Sequence, residues 1–327
     1  MDSLAALYAQ HTGRVSQRWS SYLDVFERTF GPIRDQQVRI LEVGVQNGGS
    51  LELWAQYFAQ AKVLVGSDID RRCGDLTFED PRIHVVVGDV TTDEAQRRVI
   101  ARSDGFDVII DDGSHRSADI IETFVSMYPL LAEGGVYVIE DLHCSYFASF
   151  GGGLFAQRSA MGFLRRLVDI VNRSHWGLDR DASGHLQPLA DRPLSAAFLA
   201  ALPTIASLEF YDSMCVIRRD AGPEPRLGER IVTGSVAAVD PAPLAESGRY
   251  LVGETQVGSA ADLDPLEHEV LLQELLEDRA RRVHLEKELR QELHEVWTRL
   301  GRILASPSYR FMNGPRRIFR ALFRRRG

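Results

Sequence analysis

The stretch F-D-V-I-I-D-D-G-S-H, Phe106 to His115, is where the pattern of the chain becomes readable. Val108, Ile109 and Ile110 form an unbroken β-branched run, which suits a parallel strand covered on both faces and not an edge strand. The run stops at Asp111 and Asp112, followed by Gly113, Ser114 and His115. In open α/β sheets ligands bind beyond the carboxyl ends of such strands, so these side chains are expected at the mouth of a cleft. A second stretch of the same kind, G-V-Y-V-I-E-D-L-H from Gly135 to His143, delivers Glu140, Asp141 and His143 to the same edge.

Upstream, R-I-L-E-V-G-V-Q-N-G-G-S-L-E-L-W (Arg39 to Trp54) reads as a strand, a glycine-rich turn and a helix. Gly44 and Gly48 let a ligand approach backbone N–H groups, and Ser50 is placed to cap the helix. Gln46 takes the second glycine slot of G-x-G-x-x-G. Glu42, ending the strand, would repel the diphosphate of NAD or FAD and attract a cation. S-adenosylmethionine carries a sulfonium and an ammonium and no phosphate. The next strand, in K-V-L-V-G-S-D-I-D, ends at Asp68, at the distance where an acid meets ribose hydroxyls. Asp70 is either a second such acid or a turn cap. A third strand, Ile83 to Val87, leads to Asp89, which either reaches the adenine amino group or starts the helix near Thr92. Asp111 is counted with these cofactor-binding residues. The alternation predicts a Rossmann-like, doubly wound, mostly parallel α/β sheet.

The rest arranges itself around that sheet. Residues 1–36 read as an N-terminal helical cap, with a lid as the alternative, and 37–220 as the cofactor-binding domain. Ser117 to Leu131 has core-helix spacing. Phe147 to Phe155 reads as a loop able to fold over a substrate, and Ser174 to His185 as an exposed insertion with His175 and His185 solvated. Ile205 to Arg218 reads as a hairpin turned about Tyr211 to Ser213, giving the sheet an antiparallel edge. Residues 221–262 form a linker or arm. Residues 263–305 form a long helix in which Leu289, Leu293, Val296, Leu300 and Ile303 make a coiled-coil seam, predicting a homo-oligomer. Residues 306–327 form a basic amphipathic tail suited to an anionic membrane surface.

With 327 residues, 44% hydrophobic and 26% charged, the chain has material for a large core. A formal charge of −8 argues against general nucleic-acid binding. Cys73, Cys144 and Cys215 are odd in number and widely spaced, as expected of reduced thiols and not of a disulfide framework. No basic n-region opens the sequence and no apolar run is of membrane length. A cytoplasmic protein is expected, its basic tail either a peripheral contact at the inner face of the membrane or a soluble basic segment.

Asp112, Glu140 and Asp141 are hard oxygen donors suited to Mg²⁺, with Mn²⁺ as its substitute. A hydroxyl held by such an ion is more acidic, and His115, on the tight turn after Asp112, can take its proton. His143 is a second base or a substrate donor. The strings L-E-V-G-V-Q-N-G-G-S-L, G-S-D-I-D, I-I-D-D-G-S-H and Y-V-I-E-D-L-H, in this order, resemble the class I S-adenosylmethionine-dependent methyltransferases, specifically the metal-dependent sugar O-methyltransferases typified by the mycinamicin-pathway enzyme. The resemblance covers about Val38 to His143. It implies metal ligands at Asp112, Glu140 and Asp141, a base at His115, and a saccharide or glycoside acceptor. The arginine-rich tail is similar to tails of enzymes assembling bacterial surface polysaccharides, which points to a lipid-linked glycan. A non-catalytic scaffold and a hydroxylase-like relative are the rival readings.

Overall fold

A computed structural model describes residues 2–177, 181–222, 227–251 and 265–305. Two helices come first, α1 (Leu4–Gln10), capped by the Ser3 hydroxyl, and α2 (Ser20–Phe30), separated by an extended stretch around Gly13. Then strand and helix alternate: β1 (Arg39–Val43), α3 (Gly49–Tyr57), β2 (Val63–Asp68), β3 (Ile83–Val87), α4 (Asp93–Ile100), β4 (Phe106–Asp111), α5 (Ser117–Met127) and β5 (Leu131–Ile139). Three helices, α6 (Ala160–Val171), α7 (Ala182–Leu186) and α8 (Ala196–Ala201), precede the hairpin of β6 (Ile205–Tyr211) and β7 (Met214–Arg219).

The strands make one sheet in the order β3-β2-β1-β4-β5-β7-β6. β1 to β5 run parallel, while β7 is antiparallel to both β5 and β6. This is the Rossmann-like sheet with an antiparallel edge pair. The order reverses between β1 and β4, so the site is expected at their carboxyl ends.

Register sorts the side chains. Ile40 lies beside Val108 and Glu42 beside Ile110, so alternate residues of β1, β4 and β5 share one face. On that face Ile40, Val108, Ile110, Val136 and Val138 pack under Phe26, Phe30, Trp54, Tyr57 and Phe58. Burying a Phe fully stabilises by roughly 1.5–3 kcal/mol, and ring contacts such as Phe26 edge-on to Trp54 at 5.2 Å add to it. The opposite face carries Phe124, Tyr128, Tyr137, Phe163 and Phe198. The N-terminal helices thus contribute Leu4, Tyr22, Val25, Phe26 and Phe30 to the core.

Local expectations fail where chemistry overrides periodicity. The helix expected through Leu131 stops at Met127, because Pro129 starts a tight turn at Tyr128–Leu130, and β5 begins at Leu131. α3 starts behind left-handed Gly48 and receives no side-chain cap, so Ser50 is not its cap. In the 174–185 insertion His185 is not solvated: its ring packs on Trp176 at 5.1 Å and pairs with Asp169 at 3.1 Å. His175 is exposed.

The chain divides into two compact units, Met1–Ala261 and Asp262–Gly327. In the second, α9 (Pro265–Ala305) is a single helix in which Leu289, Leu293 and Val296 are exposed. Residues 306–327, where the basic tail was expected, lie outside the described residues, as do 223–226 and 252–262 of the expected linker and 263–264 of the expected long helix. Among the described residues no helix is long and apolar enough to cross a membrane. Cys73, Cys144 and Cys215 are free and buried.

Candidate active site

The carboxyl ends of β1, β4 and β5 bring Glu42, Asp112 and Glu140 onto one face, and Arg18 enters between them from the stretch before α2. Its guanidinium is 2.7 Å from Glu42, 3.3 Å from Asp112 and within 3.1 Å of both Glu140 oxygens. The Arg18 side chain is 2% exposed and lies over the Trp54 ring at 5.4 Å. Burial pushes the Glu140 carboxyl well up, with Asp112 and Glu42 adding to the push and Arg18 opposing it. Burial likewise pushes Asp112 up to about 7.

Next to this knot a cleft of about 810 Å³ opens, within the size range of cofactor sites. Its lining includes Asp112, His115, Glu140, Asp141 and His143. One ligand atom each from Asp112, His115 and Asp141 lie within 4.8 Å of one another. Asp141 is the best supported: Trp19 Nε1 donates to its Oδ1 at 3.0 Å, the Tyr22 hydroxyl lies 2.8 Å from the same oxygen, and its backbone N–H donates to that hydroxyl. His115 Nε2 is 3.5 Å from Asp141 Oδ2. Burial lowers the pKa of His115, so its imidazole is neutral near pH 7 and free to accept a proton. His143 Nδ1 is 2.5 Å from the Ser213 hydroxyl at the tip of the β6–β7 hairpin.

Backbone conformation marks the same place. Among the described residues the non-glycines with positive φ are Gln46, His115, Asp141 and Ser213, and all four gather at this edge of the sheet. Such conformations cost on the order of 1–3 kcal/mol each and persist where the surroundings impose them.

The other end of the cleft is lined by Gly44, Val45, Gln46, Asp68, Asp89 and Thr91. Gly44, at φ +95, has no room for a Cβ, which would run into the Asp112 carbonyl; the glycine turn and the β4 tip are packed as one piece. Asp68 accepts from the N–H groups of Val45 and Gln46 at 2.8 and 2.9 Å and so holds the turn in place while facing the cleft. Burial works against its charge, but these N–H groups and that of Asp70 outweigh it and hold the carboxyl below the usual range. Asp70 caps the short turn after β2, and Asp89 binds Thr91 while lining the cleft, ahead of the Thr92 cap of α4.

Several expected placements are corrected. Glu42 does not line the cleft; its oxygens are taken up by Arg18, by Ser50 Oγ at 2.6 Å and by Trp54 Nε1 at 3.0 Å. Asp111 points to the other face, where its Oδ2 is buried without a partner and burial pushes its carboxyl up to about 7. Gly48 shapes the turn and does not border the cleft. Glu140 lines the cleft but presents both oxygens to Arg18, outside the group formed by Asp112, His115 and Asp141. Sequence reasoning missed Arg18, Trp19 and Tyr22, whose signal was the R-W-S-S-Y string at the start of an amphipathic helix, and Arg192, which reaches Thr91 across the cofactor end.

Residues 41–142 match the model of a methyltransferase-domain family. The chain is 34% identical over 229 residues to the 8-demethyl-8-alpha-L-rhamnosyl tetracenomycin-C 2'-O-methyltransferase of Streptomyces olivaceus, covering 67% of this chain and 55% of that one. It is 34% identical over 178 residues to the mycinamicin VI 2''-O-methyltransferase of Micromonospora griseorubida, covering 49% and 44%. A methyltransferase of the mycinamycin biosynthetic pathway, solved with Mg and S-adenosylhomocysteine (SAH), superposes with TM-score 0.54 at 27% identity over 71% of this chain and 58% of that one. The chain thus spans about half the length of the curated relatives it matches. The matched segment ends just past the β5 tip, so the hairpin that fixes His143 and the N-terminal stretch that supplies Arg18 and Tyr22 lie outside it.

The donor set suits a divalent cation of the magnesium type. Two carboxylates converge on one point with an imidazole beside them, no thiolate joins them, and the cleft supplies room for water or substrate oxygens.

Proposed function

We propose that this protein is an S-adenosylmethionine-dependent O-methyltransferase that uses a divalent cation and acts on a sugar hydroxyl. The observation that carries the reading is the convergence of Asp112, His115 and Asp141 at 4.8 Å or less, in one cleft with the Gly44–Gln46 turn and Asp68. Bound there, S-adenosylmethionine supplies an electrophilic methyl whose departing sulfur keeps the bonding pair, and a divalent cation polarises the acceptor hydroxyl. Asp68 is assigned to the ribose hydroxyls, Asp89 to the adenine end, and the Gly44 turn to close backbone approach.

His115 takes the hydroxyl proton on its neutral imidazole, and Asp141, 3.5 Å away, stabilises the resulting imidazolium. Tyr22 and Trp19 fix Asp141 from behind, so its free lone pairs face the cleft. Asp112 and Asp141 would hold the cation, while Glu140 stays paired with Arg18 beside them. His143, oriented by Ser213, donates to the acceptor. Domain limits follow the sequence reading: 1–36, 37–220, 221–262, 263–305 and 306–327.

The curated relatives named above are O-methyltransferases of rhamnosyl tetracenomycin and mycinamicin glycosides, which supports a glycoside acceptor here. The basic residues of 306–327 support a lipid-linked glycan at the cytoplasmic face of a membrane, and the α9 seam supports a homo-oligomer. Incubation with methyl-labelled S-adenosylmethionine and a panel of free, aglycone-bound and lipid-linked glycosides tests this. Label appears on a sugar oxygen and disappears with EDTA; transfer that survives complete metal removal refutes the role of the cation.

A further inference from the structure

Trp19 is the odd residue of the cleft. Its indole is 59% exposed although it lines the cavity, and leaving so large an apolar face in water forgoes burial worth more than that of most side chains. It is nevertheless held in one orientation. Nε1 donates to Asp141 Oδ1 at 3.0 Å, and the His143 ring meets it edge-on at a centroid distance of 6.0 Å and 86°. On the far side of His143, Phe147 makes a second edge contact at 5.8 Å and is 49% exposed. Val15, on the same N-terminal stretch, is 67% exposed and also lines the cleft. Trp19 therefore presents an exposed aromatic face in the cleft while tied to Asp141 and His143, and Phe147 lies outside the lining.

We infer that Trp19 is the platform on which the acceptor's pyranose ring stacks; the inference rests on the sugar O-methyltransferase reading and specifies its acceptor subsite. A pyranose has one face of aliphatic C–H bonds carrying partial positive charge, and an indole face carries partial negative charge, so the two are complementary in both hydrophobicity and electrostatics. The hydrogen bond to Asp141 sets the register. A ring seated on the indole has its edge hydroxyls over Asp141 and His115, and its exocyclic substituents run out past His143 toward Phe147. The cofactor end, with Asp68 and Asp89, lies in the other direction along the cleft. The platform selects for rings with an uninterrupted C–H face.

Trp19→Phe keeps a ring face and loses the N–H donor; Trp19→Ala loses both. Binding is read without turnover, by saturation-transfer NMR and titration of methyl and phenyl pyranosides into the SAH-loaded, Mg²⁺-loaded protein. Stacking predicts that Trp19→Ala weakens pyranoside binding about ten-fold, that Trp19→Phe weakens it much less, and that SAH affinity and melting temperature stay as in the parent. Saturation is strongest on the axial protons of one sugar face. Equal affinity in parent and Trp19→Ala overturns the platform, as does equal loss in Phe and Ala variants, which would leave only the Asp141 hydrogen bond. A parent that binds no pyranoside overturns it too. A parent that binds pyranosides through Trp19 but transfers no methyl to them keeps the platform and refutes the proposed activity.

Discussion

At the scale of single residues, Arg18 is a buried cation paired with three carboxylates at once. Glu42 and Glu140 are 0% and 2% exposed at their side chains, and Arg18 is the cation that offsets them. Replacing it with Met keeps much of the packing on Trp54 but strands two buried carboxylates, which destabilises by about 3–5 kcal/mol. The sign with pH follows from the charge. Without Arg18 the charge that opposes the upward push of burial on the Glu140 carboxyl is gone, so its folded pKa rises further and the loss is greatest at alkaline pH and shrinks as it binds a proton; urea denaturation at pH 8 and pH 5 reads it. Asp68 acts in the opposite direction. Its folded pKa is depressed, so its contribution is fully present above the unfolded value of about 3.9 and is lost as pH falls through the lower folded value. Asp68→Asn lowers stability at pH 6 and gives a flatter decline between about pH 4 and pH 2, measured as denaturation midpoints.

At the scale of elements, the tips of β4 and β5 work as a unit because their register places Asp111 beside Ile139, which puts Asp112 level with Glu140. Each tip turns sharply, His115 and Asp141 both adopting positive φ, and the turn swings Asp141 toward His115. Asp112→Asn and Asp141→Asn each remove a hard oxygen ligand and are expected to weaken Mn²⁺ binding by more than the roughly 10–100-fold that an outer partner costs. Glu140→Gln weakens it as well, since it removes one of the carboxylates that offset the Arg18 charge beside the ion. Mn²⁺ titration followed by electron paramagnetic resonance, with SAH affinity as the control, measures all three. SAH binding should persist, because its end of the cleft is built from β1, β2 and β3.

At the scale of the whole molecule, the cleft belongs to the first compact unit and α9 to the second. In α9 Leu289, Leu293 and Val296 recur at steps of four and three and are 57%, 61% and 63% exposed. A helix that leaves such a row in water gains by pairing it with a second copy. The full chain is expected to sediment as a dimer or larger, and the double substitution Leu289→Lys and Val296→Lys to shift it toward monomer with SAH affinity retained. Sedimentation velocity decides it; a monomeric parent chain refutes the seam.

Sequence alone determined the sheet, because buried parallel strands need unbroken apolar runs and leave their acids at one end: Ile109 and Ile110 before Asp112, and Val138 and Ile139 before Glu140. It also placed the hairpin edge at Ile205 to Arg218, since two short apolar strands about a polar turn have few other ways to pair. Tertiary structure decided how the acids are used. Period-two alternation sends Asp111 to the far face and Glu42 into the core, yet the positive φ at Asp141 breaks that alternation, and no local propensity announces it. Arg18 stands 24 residues from Glu42 and 122 from Glu140 along the chain, and a salt bridge across such separations exists only after α2 has packed on the sheet. Periodicity reports which face of an element is buried; it is silent on which distant charge the fold brings to meet it.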